Sequence, residues 1–159
     1  MVKSIALVSF DAIEGPVVHF FVTDGFVGED LKEEISSMLN YNVSSKYFIF
    51  RVGKFTSYNM QFEIRSALAR GKREMLMIAL VLDKFPLKKD ERFFLKHAKD
   101  FIMFLKKSPY CEYMFHLDKN LNDEEFEVIS DLFNQTSQRL QEILDSFNYT
   151  PKRGRKKKK

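Results

Sequence analysis

The sequence predicts an α/β (α+β) domain in which a five-stranded antiparallel sheet is covered on both faces by helices. Five short runs rich in β-branched and aromatic residues are separated by turn residues, and three longer segments repeat their apolar residues at helical spacing. The resulting order is β-β-α-β-β-β-α-α. Strands that follow one another directly, with helices segregated between them, favour an antiparallel sheet.

Length and composition indicate one compact domain followed by a tail. The 159 residues are 45% hydrophobic, which is enough for one core and too little for two. Aromatic residues make up 14% of the chain, far above the content of disordered proteins. We therefore assign residues 1–150 to a folded domain and residues 151–159 to a disordered polybasic tail.

The first two predicted strands are residues 4–10 and 17–23. Both runs are apolar, and the Gly15-Pro16 pair between them ends regular structure. Because the runs are nearly continuous rather than alternating, both of their faces should be covered by other elements. We expect both strands in the middle of the sheet.

The first helix is predicted over residues 29–40. Leu31, Ile35, Met38 and Leu39 fall on one helical face, and acidic residues occupy the first turn, where the helix dipole favours negative charge.

Three further strands are predicted over residues 46–52, 58–65 and 75–83. The run 58–65 alternates most regularly and places the polar residues Gln61, Glu63 and Arg65 on one side. A strand of this kind often lies at or near a sheet edge, where unpaired main-chain groups can template a strand from another chain. The alternative is an edge that is covered or protected by its charges.

Two helices are predicted after Pro86. The first covers residues 90–107 and ends at Ser108-Pro109, and the second covers residues 122–149 and begins with a capping-box pattern at Asn122 and Glu125. The first of these helices is apolar over more than a narrow stripe. Core packing explains most of these apolar residues, and the alternative is that Met103 or Phe104 lies on an exposed patch for a partner.

The segment SFDAIEGPVVHFF, residues 9–21, resembles the opening of longin domains of the nitrogen-permease-regulator and folliculin type. The order of elements over residues 3–149 also resembles the longin-like and profilin-like families of trafficking and GTPase-regulating proteins. The resemblance implies that the first helix covers one face of the sheet and the last two cover the other.

The same resemblance implies a protein-interaction function. In these families a sheet edge or the first helix pairs with a second longin or roadblock domain, and the assembly contacts a small GTPase or a vesicle-trafficking partner. No catalytic residue is carried over, because such modules generally have none. The long connection at residues 108–121 departs from the most compact members.

The residues that could carry chemistry do not form a recognisable motif. His19, His97 and His116 show no metal-ligand spacing, and no phosphate-binding glycine motif is present. Cys111 could act as a nucleophile with His116, but a bystander thiol is the simpler interpretation. Asp11 and Glu14 fit local turn hydrogen bonds better than acid–base catalysis. We expect no enzymatic activity, no cofactor and no metal.

Charge is concentrated at the C-terminus. Seven of the 26 basic residues lie in the last eight positions, which leaves 19 basic against 22 acidic residues, or −3, in the remainder. These seven are Lys152, Arg153, Arg155, Lys156, Lys157, Lys158 and Lys159. They could contact anionic lipid or nucleic acid, or serve only as a solubilising segment. No C-terminal cysteine for prenylation follows them.

These observations predict a cytoplasmic, non-enzymatic interaction module that forms a homo- or hetero-dimer with a longin or roadblock domain. It would act in a small-GTPase-regulating or trafficking complex, peripherally at a membrane surface if the tail binds lipid. A single cysteine and a short, quickly interrupted N-terminal apolar run give no indication of secretion. The alternative is a nucleic-acid-associated protein that binds through its tail.

Overall fold

A computed structural model describes residues 1–116 and 120–147, and it confirms the predicted order of strands and helices. The elements are β1 (Lys3–Asp11), β2 (Gly15–Thr23), α1 (Glu29–Ser37), β3 (Tyr47–Val52), β4 (Phe55–Arg65), β5 (Arg73–Leu82), α2 (Lys88–Lys107) and α3 (Asp123–Phe147). Short 3₁₀ turns follow α1 at Met38–Asn40 and α2 at Cys111–Phe115. The basic tail lies outside the described residues.

The five strands form one antiparallel sheet in the order β2-β1-β5-β4-β3. The prediction that β2 lies mid-sheet is therefore wrong, because β1 is its only neighbour and β2 is an edge strand. Its apolar sequence has another cause. Both α1 and α3 contact β2, so the side chains on its two faces are covered even though one main-chain edge is open.

Alternate residues of the central strands belong to two separate hydrophobic cores. Ile5 and Leu7 pack in the larger core, with Phe94, Phe101, Leu140 and Leu144 of α2 and α3. Ala6 and Val8 pack in the smaller one, with Leu31 and Ile35 of α1. Because successive strand residues point to opposite faces, α1 covers one face of the sheet and α2 with α3 covers the other.

Polar contacts fix the helices at their ends. The side-chain oxygen of Asn122 accepts the Glu125 main-chain N–H at 2.8 Å and the Glu125 carboxylate accepts the Asn122 N–H at 3.3 Å, which confirms the predicted capping box. The buried Lys3 ammonium donates to the Leu144 carbonyl at 2.6 Å, near the C-terminal end of α3. This bond ties the last helix to a central strand.

Candidate protein-interaction site

Strand β2 exposes a long main-chain edge without charged side chains. Its nine residues, GPVVHFFVT, contain no Asp, Glu, Lys or Arg. The Asp24 N–H donates to the Lys3 carbonyl at 3.2 Å, and the pairing continues as Ile5 with Val22 and Leu7 with Phe20. In an antiparallel ladder, successive residues direct their main-chain N–H and C=O groups alternately towards and away from the neighbouring strand. Phe21 and Thr23 are the intervening residues, so their main-chain groups point away from the sheet.

Strand β3 forms the opposite edge, and it is shorter and more protected. It has six residues, and its Arg51 guanidinium donates to the Thr56 hydroxyl at 2.7 Å and to the Lys84 carbonyl at 2.8 Å. The ring of Tyr41 lies 5.9 Å and 5.8 Å from the rings of Phe48 and Phe50, measured between centroids. Charged and aromatic side chains thus crowd this edge.

The predicted edge strand 58–65 is interior for about half of its length. β3 pairs with residues 55–60 of β4, and the last contact is the Gln61 N–H donating to the Lys46 carbonyl at 2.8 Å. The Gln61 side chain is only 5% exposed. Its amide donates towards the carbonyls of Met38, Leu39 and Tyr41 at 3.1, 3.4 and 2.8 Å. Gln61 therefore caps the end of the α1 segment, which corrects its assignment as an exposed interaction residue.

Glu63 and Arg65 do lie on an open section of edge. Both are exposed, and β3 has ended before their positions. The Glu63 carboxylate accepts a hydrogen bond from the Arg73 guanidinium of β5 at 3.2 Å, whereas Arg65 lies opposite Arg73 in the ladder. Their role in binding a partner stays a prediction.

Of the two α2 residues considered for an exposed patch, Met103 is the exposed one. Met103 is 53% exposed on α2. Phe104 is half-buried, and the Arg139 guanidinium of α3 lies 4.0 Å from its ring centroid, which is cation–π geometry. Of the two, Met103 alone is open to a partner.

The surroundings of Cys111, His19 and His116 are those of residues that stabilise the fold. Burial raises the pKa of the Cys111 thiol to about 11, which disfavours the nucleophilic thiolate. Burial also lowers the pKa of His19, whose ring lies 4.8 Å from Phe115 and 6.3 Å from Phe133. His116 contacts the buried Glu74 carboxylate at 2.9 Å.

The acidic turn between β1 and β2 has the local role expected for it. The Asp11 carboxylate accepts the N–H groups of Ile13 and Glu14, both at 2.8 Å. Those two hydrogen bonds lower the pKa of Asp11. Within residues 1–116 and 120–147, no three His, Cys, Asp or Glu side chains are grouped to hold a metal ion.

Comparison with known proteins gives no family assignment: no family model matches the chain, and neither does any curated protein. Among the helices of the described residues, none combines the length and the apolarity needed to cross a bilayer.

Proposed function

We propose that this chain is a non-enzymatic interaction module of the longin type, which pairs with a second longin or roadblock domain through the β2 edge. The pair would form part of a complex that regulates a small GTPase or membrane trafficking. For the isolated chain, the second domain is another copy of itself. A two-fold axis perpendicular to the sheet would let two β2 strands pair antiparallel and join the two sheets into one.

The open, uncharged edge of β2 carries this proposal. Edge strands of proteins that stay monomeric are usually short, twisted by bulges, or marked by Lys and other charges that prevent pairing. β2 has nine residues and no charged side chain, and its register shift with β1 falls at His19, in the middle of the strand. The section from Phe20 to Thr23 is regularly paired with β1. That section offers the outward main-chain groups of Phe21 and Thr23.

The topology adds support, because it agrees with the arrangement that the longin resemblance implies. One helix follows the second strand, and two helices follow the fifth. The role in a GTPase or trafficking complex rests on the resemblance, and the site at a membrane surface rests on the basic tail.

A matched pair of lysine substitutions tests the edge assignment. Val17 on β2 and Ile49 on β3 both lie outside the two cores, and they sit on opposite edges of the sheet. A lysine in the pairing strand should prevent association, because its side chain would lie beside the partner strand on a face of the joined sheet, where its charge loses hydration. Light scattering should give a mass near twice 18.8 kDa for the wild type and for Ile49→Lys, and 18.8 kDa for Val17→Lys.

Two results would reject the proposal. A wild-type chain that stays monomeric at high concentration and captures no related domain on co-purification has no pairing function. Dissociation by Ile49→Lys together with intact pairing of Val17→Lys would place the interface on β3 instead. Circular dichroism of both variants controls for misfolding.

A further inference from the structure

A groove of about 800 Å³ lies beside the open section of β4. On one side it is lined by residues 61–65 of β4 together with Arg73 and Met75 of β5. On the other side it is lined by the C-terminal end of α2 and the connection that follows, including Lys106, Tyr110 and Glu112. The groove is separated from β2 by two strands, so it is a different surface from the proposed pairing edge.

The groove exists because the chain turns sharply before β3 begins. Lys46 has a φ of 61°, in the left-handed region that residues other than glycine rarely occupy, and its N–H donates to the Val43 carbonyl in a tight turn. The last main-chain hydrogen bond between this segment and β4 is the one from the Gln61 N–H to the Lys46 carbonyl. β4 continues for five residues past Met60, the last residue of its pairing with β3.

The connection after α2 also has an unusual backbone at this groove. Tyr110 has a φ of 62° and is exposed, although aromatic residues seldom adopt positive φ. Residues held in sparsely populated backbone conformations cluster at binding sites, where surrounding structure maintains them. Lys46 and Tyr110 both line this groove.

The main chain of β4 presents hydrogen-bonding groups to the groove. The Gln61 N–H points towards β3, because it donates to Lys46, and the Ser66 N–H points towards β5, because it donates to the Lys72 carbonyl. Main-chain N–H groups alternate in direction along a strand, so those of Glu63 and Arg65 point to the side where β3 has ended. A strand laid there would continue the line of β3 and pair with both residues.

The charge of the groove indicates which kind of added strand would bind beside β4. Its lining residues include four cations, Lys46, Arg65, Arg73 and Lys106, and two carboxylates, Glu63 and Glu112. Arg73 and Glu63 form an ion pair at 3.2 Å, which leaves an excess of positive charge on the lining. An acidic segment complements this charge, whereas the basic C-terminal tail of the chain itself would be repelled.

We infer that the groove binds an extended acidic segment of a partner protein by strand addition to β4 at Glu63 and Arg65. In an antiparallel pair, the residues that exchange hydrogen bonds with Glu63 and Arg65 share their face of the sheet. An acidic residue of the segment occupies the position opposite Arg65. The intervening apolar residues face Phe62 and Tyr110. This site is independent of pairing through β2.

Backbone-methylated peptides test the inference on the unmodified protein. The probe is a six-residue peptide that alternates valine and glutamate, titrated into the isotope-labelled full chain and followed by nuclear magnetic resonance. The amide signals of Glu63 and Arg65 should shift and become protected from exchange. N-methylation of the glutamates removes the N–H groups that face β4 and should abolish binding, while N-methylation of the valines should not.

A charge-reversal pair tests the electrostatic part. Arg65→Glu should weaken peptide binding by about fivefold or more. This is the effect expected when one favourable contact of about 1 kcal/mol becomes repulsive. It should also preserve the fold, because Arg65 lies opposite Arg73 and a glutamate there gains a partner. The control, Lys89→Glu, lies 17 residues from Lys106 along α2, about 25 Å away at helical rise, and should have no effect.

The following results would overturn the inference: no amide shifts at millimolar peptide, equal binding of a valine–lysine peptide, or loss of binding on valine methylation. Shifts confined to β2 would also contradict it. Val17→Lys separates the two proposals, because peptide binding at β4 should persist in that variant whether or not the wild type forms pairs.

Discussion

At the scale of single residues, Gln61 shows which structural features a sequence pattern can predict and which it cannot. Alternation along β4 correctly places Gln61 on the same face as Glu63 and Arg65. The pattern does not reveal that the end of the α1 segment lies over that position and supplies three carbonyls to the amide. Contacts between residues 20 or more positions apart depend on packing, and a local pattern carries no information about them.

Replacing Gln61 with leucine should destabilise the fold. The substitution preserves size but removes the amide that donates to the part-buried Tyr41 carbonyl at 2.8 Å, at a cost of about 2 kcal/mol, whereas the Met38 carbonyl keeps the Tyr41 N–H at 3.0 Å. Glu63→Leu, at the exposed neighbouring position on the same face, should change the free energy of unfolding by less than about 1 kcal/mol, the range of a surface ion pair. Urea denaturation of both variants measures the difference, and equal effects would contradict the capping role.

The buried ring of His19 should make the fold less stable in mild acid. Its pKa is lowered in the folded state, so the unfolded chain binds the proton more readily. The stability is therefore intact above the ordinary histidine pKa of about 6.5 and falls as the pH drops below it. His19→Phe, within the same aromatic cluster, should show a smaller loss between about pH 6.5 and 5.

His97 should also contribute to the pH dependence of stability. Its pKa is also lowered, first by burial and then by Lys96, so part of the pH dependence should remain in the His19→Phe variant. Thermal unfolding across the same pH range measures both contributions. An unchanged pH dependence in His19→Phe would show that His19 does not contribute.

At the scale of elements, periodicity predicts the helices and strands well but not their neighbours. Each predicted element overlaps the observed one with ends that differ by three residues or fewer. By contrast, β1 lies next to β5, about 70 residues away in sequence, which places β2 at the edge. Apolar patterning responds to coverage by α1 and α3 and cannot distinguish it from a central position in the sheet. Since the structure shows that β2 is an edge strand, the absence of charged residues over 15–23 favours an edge that is open to pairing.

The turn before β3 should carry measurable strain. Glycine adopts the φ of Lys46 without a steric penalty, so Lys46→Gly should raise the free energy of unfolding by about 0.5–1 kcal/mol. Ser44→Gly, two residues away at a position without positive φ, should instead lower it by a similar amount, since glycine adds freedom to the unfolded chain. Chemical denaturation of the two variants checks the opposite signs, and a loss of stability in Lys46→Gly would contradict the account.

At the scale of the whole molecule, charge is divided between an acidic body and a basic tail. The body has a formal charge of −3 and residues 152–159 carry +7. Binding to vesicles of anionic lipid should therefore require the tail and weaken steeply with salt. Removal of residues 152–159 should abolish vesicle binding without changing the oligomeric state observed in light scattering. Equal or tighter binding to duplex DNA would favour the nucleic-acid alternative.

The central claim is that two modules pair through β2, and amide hydrogen exchange of the wild-type chain tests it most directly. The N–H groups of Phe21 and Thr23 point outward in the single chain, so they should exchange rapidly in dilute solution and become protected as concentration rises. Exchange at β3 should not depend on concentration. Persistent rapid exchange of Phe21 and Thr23 in a sample that light scattering shows to be dimeric would contradict the account.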